Sequence, residues 1–304
     1  FENFVGSPFG NDVYGDAGNN TLLGTSGTDH IYGLGGDDVL IGLGGDDLLD
    51  GGAGNDTIDY SGNLSAGVTV DLSLGTAVSA ESGNDTLVSI ENVIGTDFVD
   101  SITGDANDNR ITGGAGDDFL TGGAGDDTYL FADGSGNDTI AEAAAGGNDT
   151  LDFSAKLNAL TQTINTALAN VIENMIGGAG NDTFQLADGV VLAGYIDGRG
   201  GNDTLDFSAY STAINMGLIS LGVVDGFNGT EISLAGGFQN INAIIGGAAA
   251  DTLTGLDTGQ WALTDSQSQY TNGSSTLIFS QIEMLNGGSG ADTFTFATGS
   301  TFNG

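Results

Sequence analysis

Residues 33–59 read GLGGDDVLIGLGGDDLLDGGAGNDTID, one phrase set down three times at an interval of nine residues. Written as G-x-x-G-x-D-x-U-x, with U a large apolar residue, the phrase extends well beyond this stretch. Its sixth position falls on Asn11, Asn20, Asp29, Asp38, Asp47 and Asp56, and its eighth on Val13, Leu22, Ile31, Leu40, Leu49 and Ile58. A second array places Asp100, Asn109, Asp118 and Asp127 at the same interval, followed by Ile102, Ile111, Leu120 and Tyr129. Isolated copies stand at Asp138, Asp149, Asp182, Asp203 and Asp292.

Each unit has a mechanical reading. The turn glycines, Gly33, Gly35, Gly42, Gly44, Gly51, Gly52, Gly113, Gly114, Gly122 and Gly123 among them, allow positive φ and close approach of one turn to the next. The D-x-U-x segment is a short strand with its apolar residue turned inward. A single unit cannot bury that face alone, so units must stack into a parallel solenoid. Equivalent aspartates then lie about 4.8 Å apart, one rung from the next. Two bare carboxylates at that distance repel by about 1 kcal/mol even in water, and by more where solvent is excluded. A hard divalent cation held by carboxylates and turn carbonyls turns that repulsion into coordination, and an all-oxygen donor set suits calcium.

Composition supports an external counter-charge. The 304 residues include 41 Asp and Glu against 3 Lys and Arg, a formal charge of −38, with 55 Gly, 1 Pro and no Cys. Arg110, Lys156 and Arg199, with His30 as a further candidate, cannot neutralise so many carboxylates. At 39% hydrophobic the chain has material for a core and is not simply an acidic tail. Nucleic acid is argued against by the sign of the charge. No apolar run approaches the length of a transmembrane helix, INAIIGGAAA at 241–250 being among the longest.

GGAGNDTID at 51–59, GGAGDDFLT at 113–121 and GGAGDDTYL at 122–130 match the nonapeptide G-G-x-G-x-D-x-U-x at every specified position. On these residues the chain resembles the RTX, or haemolysin-type, calcium-binding repeat proteins, in particular large secreted adhesins and surface proteins of that type. The resemblance implies an all-β fold, a parallel β-roll or β-solenoid with two nonapeptides per coil and several Ca2+ ions between turns eighteen residues apart. It implies shared sites for Asp29 with Asp47, Asp38 with Asp56, and Asp100 with Asp118. Asn11, Asn20 and Asn109 depart from the pattern and are expected to make weaker or empty sites. GGAAADTLT at 246–254 lacks the fourth-position glycine, which puts Asp251 in doubt.

A longer repeat overlies the short one. FENFVGSPFGNDVYGDAGNNTL at 1–22 aligns without a gap to IENVIGTDFVDSITGDANDNRI at 90–111, and the same opening returns at Ile172 and Ile282. The expected organisation is a nonapeptide block at 1–60, an irregular insert at 61–99, a second block at 100–154, an insert with a third block at 155–208, and a degenerate solenoid at 209–304. These are expected to form one continuous solenoid, a fragment of a longer chain. VTVDLSLGTA at 68–77 alternates as a strand should. Leu157, Leu160, Ile164, Leu168, Val171, Ile172 and Met175 recur at helical intervals, although the resemblance favours strand there, because a helix interrupts the stack.

No catalytic constellation is expected, and the chain reads as non-enzymatic. A lone histidine excludes an H-E-x-x-H zinc site, and no G-x-S-x-G elbow occurs. His30 reads as a solvated surface residue, and Tyr60, Phe153 and Phe207 as core. The expected function is that of a calcium-dependent extracellular structural protein: a segment of an adhesin, matrix component or surface filament, secreted or on the cell surface, able to self-associate end to end or laterally. The alternative is the type I secretion and folding module of a larger hydrolase or toxin.

Overall fold

Successive nonapeptides send their strands to alternate sheets, so a strand pairs not with its sequence neighbour but with the strand eighteen residues away. Asp12 lies beside His30, and Thr21 beside Val39. The computed structural model describes residues 9–63, 65–142, 146–264 and 267–298. The opening of the longer repeat, residues 1–8, lies outside them. The chain forms two compact units, Phe1–Asp149 and Thr150–Gly304.

In the first unit one sheet runs Thr21–Thr25, Val39–Leu43, Thr57–Asp59, Asn92–Ile94, Arg110–Thr112 and Thr128–Ala132, all parallel. Its register aligns Leu22, Leu40, Ile58, Val93, Ile111 and Tyr129, each at most 1% exposed. The opposite sheet aligns Val13, Ile31 and Leu49, then Ile102 and Leu120, likewise buried. The repeat's eighth position is therefore the core. Each such aliphatic side chain contributes about 1.5–3 kcal/mol of burial that only a stacked neighbour makes available.

The irregular insert does not leave the sheet. Between Leu48–Asp50 and Ser101–Thr103 stand three rungs, Gly83–Val88, Thr76–Ser79 and Val68–Asp71, joined as an antiparallel meander. The expected strand over 68–77 is thus a hairpin. The Asp71 carboxylate accepts from Ser73 Oγ at 2.6 Å and from the Leu74 amide at 3.0 Å, and Gly75 has φ of 66°, which folds the chain back.

In the second unit the coils are longer. Thr161 pairs with Thr183 and Thr150 with Asn174, and aromatic side chains such as Phe184, Phe207 and Trp261 fill the interior. Two further meanders are built into its sheets: Asn215–Leu221 with Phe227–Glu231 and Leu234–Ile241, and Gln260–Leu263 with Ser268–Asn272 and Ser275–Ser280. The helical spacing over 157–175 yields one turn of helix, Thr166–Ala169, between the strands Thr161–Ile164 and Asn174–Ile176. Pairing of Thr161–Ile164 with Thr183–Leu186 outweighs the local periodicity. Asn165 caps the turn, its side chain accepting the Leu168 amide at 3.0 Å. Tyr60, Phe153 and Phe207 are buried as expected. No helix among the described residues is long and apolar enough to cross a membrane. The fold is an all-β, predominantly parallel β-roll.

Candidate metal centre

The strand that carries an eighth-position residue inward also fixes the sixth-position side chain two places earlier. These side chains stack in files along the roll. In each file the Oδ1 atom accepts the main-chain N–H of the equivalent residue one coil before: Asp38 from Asn20 at 2.7 Å, Asp56 from Asp38 at 2.8 Å, Asp47 from Asp29 at 2.8 Å, Asp118 from Asp100 at 2.9 Å, and Asp127 from Asn109 at 2.7 Å. Asp138 and Asp149 continue the files by accepting from Asp118 and Asp127, and in the second unit Asp203 accepts from Asp182 and Asp292 from Gly259. The three expected pairs are therefore hydrogen-bonded neighbours. Fifth-position side chains run the reverse ladder on the solvent side: Asp37 accepts from Asn55 at 3.0 Å and Asp108 from Asp126 at 2.8 Å.

The second carboxylate oxygen divides the turns into two kinds. In closed turns the amide four residues earlier points at it: Thr25 N–H meets Asp29 at 2.6 Å, Thr96 meets Asp100 at 2.6 Å, Gly178 meets Asp182 at 2.7 Å and Gly247 meets Asp251 at 2.5 Å. Asn20 and Asn109 accept in the same way from Asp16 and Asp105. In open turns that second-position residue is left-handed: Leu34 at φ 75°, Leu43 at 68°, Gly52 at 97°, Gly114 at 107°, Gly123 at 112° and Arg199 at 63°. Its amide no longer serves the carboxylate. The Oδ2 atoms of Asp38, Asp47, Asp56, Asp118, Asp127 and Asp203 are buried without a hydrogen-bond partner.

Left-handed leucine or arginine costs roughly 1–2 kcal/mol per residue. A buried carboxylate oxygen without a partner costs more. Strain and desolvation concentrated at the same turns mark a functional site. The donor chemistry fits a hard cation. A Cβ at Gly198 would stand 2.7 Å from Asp203 Oδ2 and 2.6 Å from the Asn240 carbonyl oxygen, and one at Gly42 would stand 2.5 Å from Asp47 Oδ2. Gly33, Gly51, Gly113 and Gly122 hold the equivalent place beside Asp38, Asp56, Asp118 and Asp127. The first-position glycine thus keeps room where carboxylate and carbonyl oxygens converge. No three acidic or histidine side chains cluster as a metal site among the described residues, so a cation at these turns would need main-chain carbonyls as further donors. Calcium held there would supply the positive charge that the side chains lack.

Electrostatics agree with geometry. Burial, followed by the repulsion of neighbouring aspartates, pushes Asp47, Asp127 and Asp203 up to about 7 and Asp118 up to about 6, despite the amides that favour the charged form. Asp38 and Asp56 are raised for the same first reason.

Two expected glycines stand off the carboxylates, and three acidic residues that were not expected from sequence join the files. Gly35 and Gly44 occupy the third position, where a Cβ meets nothing nearer than 3.6 Å and 3.3 Å; the left-handed glycines are their neighbours Gly36 and Gly45. Asp85 accepts the Asp47 amide at 3.0 Å and the Tyr60 hydroxyl at 2.9 Å, and is pushed up to about 6 mainly by burial. Glu91 and Glu283 fill the aspartate slot at two other coils, accepting from Asp56 and Asp251 at 2.9 Å. The signals were present, since GNDT at 83–86 repeats GNDT at 54–57, and both glutamates belong to the recurring I-E opening. His30 is half exposed, with Nδ1 3.0 Å from Asp12 Oδ1 on the neighbouring rung.

The comparisons bear on this geometry. The family model of the RTX calcium-binding nonapeptide repeat matches in four copies, at residues 5–40, 23–58, 94–129 and 172–189. The family model of the peptidase M10 serralysin C terminal matches residues 187–303. Both are non-catalytic repeat or secretion-module domains, typical of type I secreted extracellular proteins. No curated protein matches the chain. Among solved structures it is similar to the extracellular lipase LipA from Serratia marcescens at 16% identity, over 88% of this chain and 37% of that one, with a TM-score of 0.24. The chain thus spans well under half the length of that lipase. The chain thus carries RTX calcium-binding repeats and a serralysin-type C-terminal domain, which together indicate a type I secretion-associated calcium-binding module.

Proposed function

We propose that the chain is the calcium-switched folding module of an extracellular protein, extended while calcium is scarce and assembled into its roll once outside the cell. The observation that carries this reading is the set of six buried carboxylate oxygens without a partner, on Asp38, Asp47, Asp56, Asp118, Asp127 and Asp203. We assign the calcium to these open turns, with main-chain carbonyls of the glycine turns as further donors. Asp29, Asp100 and Asp182 lead the turn pairs that bracket it, and Asp138 and Asp149 serve as amide acceptors at the far side of a site. A chain of charge −38 with such turns lacks the means to compact by itself. On this reading the chain does no chemistry on a substrate.

A second reading, a structural segment of an adhesin, matrix component or surface filament, is favoured by one observation. Strands of like repeats already stack on one another in register within the roll, as Leu22, Leu40 and Ile58 do, and the same main-chain pairing is the contact by which a second copy would add. Sedimentation velocity with chelator and with about 1 mM calcium, the range of extracellular calcium modules, separates the readings. The module reading expects a faster-sedimenting species of unchanged mass in calcium. Mass that grows with protein concentration favours the filament, and a chain already compact in chelator contradicts both.

A further inference from the structure

The turn at 198–203 is open and has no glycine turn in the coil after it. Asp203 donates its amide to the side chain of Asn242, and between Asn240 and Ala243 the chain is too short to form one. In regular turns the fourth-position glycine amide is taken by a main-chain carbonyl of the following coil: Gly36 N–H by Ala53 at 3.0 Å, Gly45 by Ser82 at 3.1 Å and Gly125 by Gly146 at 2.9 Å. At the corresponding Gly201 the acceptor is a side chain, Asp225 Oδ2, at 3.2 Å. Asp225 lies on the loop of the antiparallel meander between Asn215–Leu221 and Phe227–Glu231, outside every nonapeptide. That loop is held against the turn by Asn240, whose Oδ1 accepts the Val224 amide at 3.0 Å and whose Nδ2 donates to Asp197 at 2.6 Å.

With Oδ2 occupied by Gly201, the other oxygen of Asp225, Oδ1, is buried and has no partner. So is Oδ2 of Asp203, a residue 0% exposed, and a Cβ at Gly198 would stand 2.7 Å from that oxygen and 2.6 Å from the Asn240 carbonyl oxygen. Two unpartnered carboxylate oxygens, on Asp203 and Asp225, and the Asn240 carbonyl therefore border one turn, at Gly198 and Gly201, whose second residue, Arg199, is held left-handed. The geometry points to a calcium site outside the repeat pattern, in which the Asp225 carboxylate takes the place of the missing following turn and completes the site with Asp203. The meander is then not a mere interruption of the roll. It carries the ligand that lets calcium bind where the next coil lacks a glycine turn. This inference rests on the proposed calcium-holding role of the open turns.

Equilibrium dialysis of the full chain with calcium, on a magnesium background, tests it in wild type and in Asp225→Asn. The asparagine Oδ1 still accepts the Gly201 amide, so the substitution removes the charge and keeps the structural hydrogen bond. The expected result is one calcium fewer per chain at saturation, or one site weakened about tenfold or more, with an unchanged far-UV circular dichroism spectrum in calcium. An unchanged number and affinity would show that Asp225 only caps Gly201, and overturns the inference. Should the asparagine variant not reach the wild-type spectrum, Asp225→Ser, which keeps an acceptor without charge, is read in the same way. A wild-type chain that binds no calcium sinks the function proposed above; a wild-type chain that binds several, with Asp225→Asn its equal, sinks this site alone.

Discussion

Replacing Asp56 and Asp127 together by asparagine is expected to raise the calcium concentration at half-folding by about tenfold or more, tenfold corresponding to about 1.4 kcal/mol. Replacing Asp100 and Asp182 together by asparagine is expected to shift it by no more than about twofold on the same scale. The substitutions are chemically identical, so the difference isolates the turn. Asp56 and Asp127 present a buried oxygen that nothing in the protein satisfies, and an amide group there offers a hard cation no charge. Asp182 already has both oxygens occupied, by the Leu160 and Gly178 amides. Asparagine suits such a turn: Asn109 turns Oδ1 to the Asp105 amide at 2.8 Å and donates Nδ2 to the Glu91 carbonyl at 2.9 Å. Calcium-dependent far-UV circular dichroism of the variants decides the matter, and equal shifts in both would contradict the division into open and closed turns.

Acid is expected to stand in partly for calcium. In the calcium-free fold Asp47, Asp127 and Asp203 are pushed up to about 7, and Asp85 and Asp118 up to about 6, chiefly by burial. A carboxyl whose folded pKa is raised binds more protons folded than unfolded. Its favourable contribution is fully present below the unfolded pKa of about 4 and is lost as pH rises through the folded value. In chelator, ordered β structure should therefore increase as pH falls from about 8 towards about 5. Calcium uptake by that acid-ordered form should release protons, whereas uptake by the extended chain, whose carboxylates are already ionised above about pH 5, releases none. Surface carboxylates are ionised above that pH and release none, so proton release measured in weakly buffered solution separates the buried files from general relief of negative charge. Calcium uptake by the acid-ordered chain without proton release would contradict the burial of these groups as partnerless carboxyls. Asp47→Asn should reduce the release.

The roll was legible because one physical constraint recurs at a fixed interval. A nine-residue unit buries its eighth residue only against neighbours, and Leu22, Leu40, Ile58, Ile111 and Tyr129 occupy the core in that order. The meanders were not legible by the same means, since antiparallel excursions follow no period. Asp71 and Gly75 did carry a local turn signal within 68–77. The candidate site was legible as a file of aspartates but not as two kinds of turn. GGAGND stands at 51–56 and again at 177–182, yet Gly52 is left-handed and leaves Asp56 open, whereas Gly178 closes on Asp182.

The preceding coil accounts for the difference. The open carboxylates Asp38, Asp47, Asp56, Asp118, Asp127 and Asp203 each follow a coil with a six-residue turn that begins on glycine and ends on Asp or Asn, at 15–20, 24–29, 33–38, 95–100, 104–109 and 177–182. Asp182 follows the irregular FSAKLNAL at 153–160, and Asp251 follows FSAYSTAI at 207–214. The state of a turn is set by its neighbour across the sheet, a relation no single nonapeptide contains. Asp225 lay further out of reach, since no motif surrounds it and only the return of the meander brings it to Gly201.

The most direct test of the calcium-folded roll is a calcium titration of the purified chain followed by far-UV circular dichroism at pH 7.5, with magnesium as the control. The account predicts a cooperative gain of β signal as calcium approaches the millimolar range of extracellular modules, with no comparable gain in magnesium. A β spectrum already complete in chelator and indifferent to calcium would contradict it.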